Sequence, residues 1–155
     1  MTIKMYYKEN DVFIEVTSGT DVTNPITTTH NGKSGDQKSV CLYLRNDDVA
    51  KWYSNIIVRP VDLVDPEPYG DIAYNETGWG VKLNPGGTEP TETEWVDILW
   101  GEPINMSNIG SDSAYDITTY SPFWYLISCP PNMDAQNKSD IVLNAEFTEN
   151  TVVVP

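Results

Sequence analysis

Apolar residues recur at every second position in short runs along this chain, and nowhere with the 3.6-residue spacing of an amphipathic helix. In Lys38–Arg45, Val40, Leu42 and Leu44 fall on one face while Cys41, Tyr43 and Arg45 fall on the other. Asp140–Thr148 behaves alike, with Ile141, Leu143, Ala145 and Phe147 on one side. Side chains alternate in this way only on extended backbone, where successive Cβ atoms point to opposite faces. Composition agrees: Val, Ile and Thr supply 41 of the 155 residues, and Ala and Leu only 12. That is strand chemistry, so little helix is expected.

Turn signals separate the runs. Ile3–Tyr7 and Asp11–Val16 read as two strands joined by Lys8-Glu9-Asn10, which makes an N-terminal β-hairpin. Ile26–His30 reads as an edge strand before the glycine-bearing loop Asn31–Asp36, and Trp52–Val58 as a strand placing Trp52, Ile56 and Val58 on one face. Pro60 should confine that strand's pairing to an edge or its end. Residues 62–78 carry carboxylates, prolines and glycines suited to a long loop, and Asn84-Pro-Gly-Gly87 to a turn after the strand Trp79–Leu83. Glu94–Trp100 reads as a further strand, Met106–Tyr120 as a polar connection, and Phe123–Cys129 as an aromatic strand stopped by Pro130-Pro131. About nine strands of this kind fit an antiparallel two-sheet sandwich. The reading divides the chain into a hairpin or arm, residues 1–19, and a sandwich, residues 20–155. A lone hairpin is marginal in water, so residues 1–19 must pack on the main body or on a neighbouring subunit.

Charge narrows the function. With 23 acidic against nine basic residues, the net charge is −14, and no cationic patch of the size that phosphates require is expected. Nucleic acid is therefore not an expected partner. No apolar run approaches the roughly 18 residues that span a bilayer, and Met1–Glu9 lacks the hydrophobic stretch of a signal peptide. No membrane partner is expected.

Catalytic patterns are sparse. His30 is the single histidine, read as a surface or turn residue, and too few His and Cys exist for a zinc site. Gly32-Lys33-Ser34 imitates the end of a phosphate loop, but its earlier glycine would fall at Thr27. Glu92, Glu94 and Asp97 supply carboxylates without marking an acid/base pair. Clustered oxygens at Asn46-Asp47-Asp48, at Asp62, Asp65 and Glu67, and at Asp112 and Asp116 could suit calcium, yet read more simply as polar turns. No enzyme activity and no cofactor are expected. Cys41 and Cys129 lack metal or redox spacing and are expected to be reduced and packed. The aromatics are the remaining lead. Trp79, Trp95 and Trp100 could stack on sugars, although filling a core or an interface is the more economical use.

Cys41, Trp52 eleven residues later, and the distant Cys129 resemble the framework of an immunoglobulin-like domain, in which the cysteines bridge two sheets. Ile127 stands where that family often has tyrosine. More broadly, Leu42-Tyr-Leu-Arg-Asn-Asp47, Ser121-Pro-Phe-Trp-Tyr-Leu-Ile-Ser-Cys-Pro130 and Asp140-Ile-Val-Leu-Asn-Ala-Glu-Phe147 resemble strands of the small Ig-like proteins of tailed bacteriophage particles. The resemblance implies a non-enzymatic virion protein, a capsid decoration or else a tail, neck or fibre component, assembled in the host cytoplasm. Its partners would be other virion proteins or further copies of itself. The terminal segments are the expected contacts, through Ile3, Met5, Tyr7 and Phe13 at one end and Val152, Val153 and Val154 at the other. A carbohydrate-binding module or adhesin, using Trp79, Trp95 or Trp100 on a host-surface glycan, is the alternative.

Overall fold

The computed structural model describes residues 3–18, 21–22, 27–62, 79–132 and 141–153. The strands are β1 (Ile3–Glu9), β2 (Val12–Glu15), β3 (Thr17–Ser18), β4 (Asp21–Val22), β5 (Asp36–Asn46), β6 (Lys51–Asp62), β7 (Gly80–Pro85), β8 (Ile104–Met106), β9 (Ser121–Cys129) and β10 (Ile141–Thr151). One helix, α1 (Glu92–Asp97), lies between β7 and β8. A five-stranded sheet runs β2-β1-β5-β9-β7 and a three-stranded sheet β10-β6-β8, with β3 and β4 as a separate small pair. All pairings are antiparallel. One hydrophobic core joins the two sheets: Ile3, Leu42, Leu44, Leu83 and Phe123 come from the first, Tyr53, Ile56, Val58 and Ile104 from the second. The chain is an all-β two-sheet sandwich.

The N-terminal hairpin turns at Asn10-Asp11, one step later than the sequence suggests. Glu9 pairs with Val12, and Asn10 and Asp11 take φ of 51° and 62°. This is the two-residue turn that matches strand twist, and Asn and Asp tolerate its positive φ. β1 also pairs along its other side with β5 from Ile3↔Asn46 to Tyr7↔Leu42. The hairpin therefore packs on the main body and is built into the larger sheet.

The chain passes from one sheet to the other at Asn46–Ala50. Asn46 is fully buried there, and its amide donates to the Asp48 and Lys51 carbonyls at 3.0 Å each while its oxygen accepts from the Asp48 N–H at 2.8 Å. These bonds satisfy backbone groups that a bend would otherwise strand away from water.

β6 departs from simple alternation. Ile57 pairs with Glu146, but Ser54 pairs with Thr148, so Asn55 and Ile56 together oppose Phe147. Asn55 supplies the positive φ of 52° in this bulge. The bulge reverses parity, so Tyr53 rather than Trp52 shares the core face with Ile56 and Val58. The expectation that Trp52 shares a face with Ile56 and Val58 is thereby corrected. Pro60 pairs with Leu143, and β8 reaches only Ile56–Val58 on the opposite side, so the missing N–H interrupts no ladder there.

The expected strand Glu94–Trp100 is replaced by α1. Thr91 caps it, its hydroxyl accepting from the Glu94 N–H while the Glu94 carboxylate accepts from the Thr91 N–H. This reciprocal pair outweighs the local strand preference. Residues 27–30 of the expected edge strand Ile26–His30 are not extended in a ladder, and residue 26 lies outside the described residues. Among the described residues no helix is long and apolar enough to cross a membrane.

Candidate functional site

Ile3 and Met5 project from β1 into the core of their own chain, and Tyr7 packs against it. The inward face of β1 is therefore occupied within the molecule. Phe13 lies on the opposite face of the sheet, since its neighbour across the ladder is Lys8. At the other end, the Val152 N–H donates to the Ala50 carbonyl at 2.9 Å and the Val153 N–H to Asp112 at 2.7 Å. The backbone of the tail is tied down, but the Val153 side chain remains 68 % exposed. Val154 lies outside the described residues.

The outer face of the five-stranded sheet carries an aromatic and cationic layer. Tyr6 and Tyr43 are direct cross-strand partners, and Phe13 meets Tyr43 edge-on at 4.9 Å. Tyr120, which immediately precedes β9, stacks flat on Phe13 at 3.6 Å and edge-on to Tyr6 at 5.3 Å. Arg45 lies 5.2 Å from the Tyr120 ring and donates through Nε to the Ile117 carbonyl at 2.7 Å, so one cation both stacks and hydrogen-bonds. Asp116 accepts from the Thr118 and Thr119 N–H groups, each at 3.0 Å, and fixes the turn leading into this segment. The hydrogen bonds from Thr119 and Thr118 pull its carboxyl down to about 2. The apolar groups on both faces of these strands are thus partly covered by the chain's own residues 116–120.

The other end of that face lies under α1. Lys82 alternates outward between the core residues Val81 and Leu83 and is itself buried. Its ammonium donates to the Trp95 carbonyl at 2.6 Å, at the helix C-terminus where a cation is favoured, and lies 4.4 Å from the Trp100 ring. Burial pulls the Lys82 amine below its ordinary value. Trp95 is buried and offers no face to a sugar, whereas Val96 and Leu99 beside it are 75 % and 67 % exposed. Trp79 lies elsewhere, edge-on to the His30 ring at 5.6 Å. The three tryptophans proposed for stacking therefore form no common platform: two serve the Lys82 contact and one packs on an imidazole.

His30 itself is more organised than its sequence context indicates. Its side chain is only 5 % exposed, with Nδ1 2.6 Å from Asp36 Oδ1 and Nε2 2.7 Å from Thr28 Oγ1. The second Asp36 oxygen accepts from the Asn31 N–H at 2.9 Å. Burial alone would raise the Asp36 carboxyl, but the Asn31 amide and the His30 imidazole outweigh it and hold the group below its ordinary value. Three polar residues within nine positions converge because the loop 31–35 doubles back, with Gly35 at φ 72°. Only the Thr-x-His spacing hinted at this in the sequence.

Cys41 and Cys129 are free thiols. They stand on adjacent strands of one sheet, Cys41 opposite Trp124 and Cys129 opposite Asp36, so they cannot tie two sheets together. Burial raises both thiols above their ordinary value. Among the described residues no group of three or more His, Cys, Asp or Glu could hold a metal ion. The proposed calcium oxygens of Asn46, Asp48 and Asp116 accept turn hydrogen bonds, and Asp47 pairs with Lys4 at 2.8 Å. Asp65 and Glu67 lie outside the described residues.

β10 is the longest strand at a sheet edge, and among the described residues no strand pairs with its outer side. It contains no proline and no lysine. Its Glu146 faces Arg59 at 3.2 Å and its Glu149 faces Lys51 at 3.7 Å, both cations coming from β6. No family model, curated protein or solved structure matches the chain.

Proposed function

We propose that this chain is a structural protein that works through protein-protein contacts, as a component of a particle such as a tailed-phage virion. The observation that carries the reading is the outer edge of β10, with which no strand pairs among the described residues. Monomeric sheet proteins blunt such edges with proline, lysine, bulges or a covering segment. β10 has neither residue, and its bulge partner residues belong to β6. An edge of this length offers a row of backbone donors and acceptors for strand addition. Its two carboxylates sit opposite cations on its own neighbour, which lowers the repulsion a second strand would meet. Exposed Val153, just beyond the strand, extends the contact with apolar surface.

The version we advance is self-assembly. Light scattering from the purified chain over a range of concentrations should give a defined oligomer. Since the chain carries a net charge of −14, association should strengthen as salt shortens the screening length. A monomer at every concentration and salt would contradict it.

A further inference from the structure

We propose that Thr28 is an activated hydroxyl that accepts an acyl group from a carboxylic ester, with His30 as its base and Asp36 as the residue that orients the imidazole. The Asp36 carboxylate can only accept, so in the neutral imidazole the hydrogen sits on Nδ1 and the Nε2 lone pair faces the Thr28 hydroxyl. A hydroxyl 2.7 Å from one ring nitrogen and a carboxylate 2.6 Å from the other is the arrangement that nucleophilic acyl transfer requires. The Trp79 ring, perpendicular to the imidazole at 5.6 Å, and the low exposure of His30 limit the orientations open to the imidazole.

Holding the loop does not account for the third member of this chain. Asn31 Oδ1 already accepts from the Lys33 and Ser34 N–H groups, and the Asn132 N–H donates to the Lys33 carbonyl at 3.2 Å. A Cβ on Gly35 would approach the Cys129 carbonyl to 2.9 Å, so the loop is seated directly on the end of β9. The contact from His30 to Thr28 is not among those bonds, and it ends at a residue that is only half-buried.

In the transfer, Thr28 Oγ1 bonds to the ester carbonyl carbon and the bond from that carbon to the leaving oxygen breaks. The Thr28 proton passes to His30 Nε2 and from there to the leaving alkoxide, while Asp36 stays ionised. One acyl group is gained per chain, without any change of oxidation state.

The test is incubation of the whole chain with p-nitrophenyl acetate followed by peptide mapping. Thr27 and Thr29 are exposed neighbours in the same loop and serve as internal controls. Acetyl should appear on Thr28 about 100-fold faster than on either, the gain typical of a positioned base. His30→Ala should abolish that advantage, and added imidazole should restore part of it. Thr28→Ser should keep the label and Thr28→Val should lose it, with circular dichroism confirming the fold of each variant. Acetyl confined to lysines, or equal labelling of Thr27, Thr28 and Thr29, would overturn the proposal, and neither result depends on any variant folding.

Discussion

Asn46 shows how much a single buried polar side chain can hold. It closes the corner between the sheets with three hydrogen bonds, so Asn46→Ala removes the side-chain partner of the Lys51 carbonyl and of the Asp48 N–H, while the Asp48 carbonyl keeps the Lys51 N–H at 3.4 Å. Leaving such groups unsatisfied costs on the order of 1–3 kcal/mol each before relaxation, and we expect a net loss of about 3 kcal/mol in denaturant unfolding. A loss under about 1 kcal/mol would show that water replaces the side chain. In the sequence, Asn46-Asp47-Asp48 was legible as a turn, but not the burial of its first residue, since burial is decided by where the second sheet lands. His30 makes the same point. One histidine in a threonine-rich stretch reads as surface, and only the return of the chain at Gly35 brings Asp36 back to it.

Among the elements, strands with strict alternation were legible. Lys38–Arg45 and Ile141–Phe147 lie where their period-two pattern places them, within β5 and β10. Two elements were not. The bulge at Asn55 reverses the parity of β6, which no local count of apolar positions can detect, and the capping box of Thr91 and Glu94 makes α1 out of residues with strand composition. That box was present as a Thr-x-x-Glu spacing, so the helix could have been found by its cap even though its apolar period is too short to register. The segment 116–120 is held over β1, β2 and β5 by Asp116 and Tyr120, and this gives a pH prediction. The Asp116 carboxyl is lowered in the folded chain, from an ordinary 3.8 to about 2. The stability it contributes is therefore complete above the unfolded value near 4 and is lost as pH falls towards 2. Near-ultraviolet circular dichroism of the Tyr120-Phe13 stack should weaken across that window in the native chain. Asp116→Asn should show a smaller change there, and an identical acid profile for the two proteins would remove Asp116 from the account.

For the whole molecule, the sandwich itself followed from composition and periodicity, but the role of its first strand did not. Residues 1–19 read as a hairpin that packs either on the main body or on a neighbouring subunit, and the local sequence does not choose between them; β1 is interior to the larger sheet of its own chain. Ile3 and Met5 alone bury side chains worth about 1.5–3 kcal/mol each, a large share of a typical 5–15 kcal/mol of stability. A chain lacking residues 1–19 should accordingly lose its cooperative thermal transition, and retention of a sharp transition would show that the remaining sheet closes without β1. The edge of β10 carries the functional account. Amide hydrogen exchange along residues 141–151, measured at low and at high protein concentration, tests it most directly. Outward-facing amides of β10 should exchange readily in dilute solution and become protected, at alternate positions, as the chain associates. Exchange at one unchanged rate, while light scattering shows the chain associating, would place the contact elsewhere and contradict strand addition at β10.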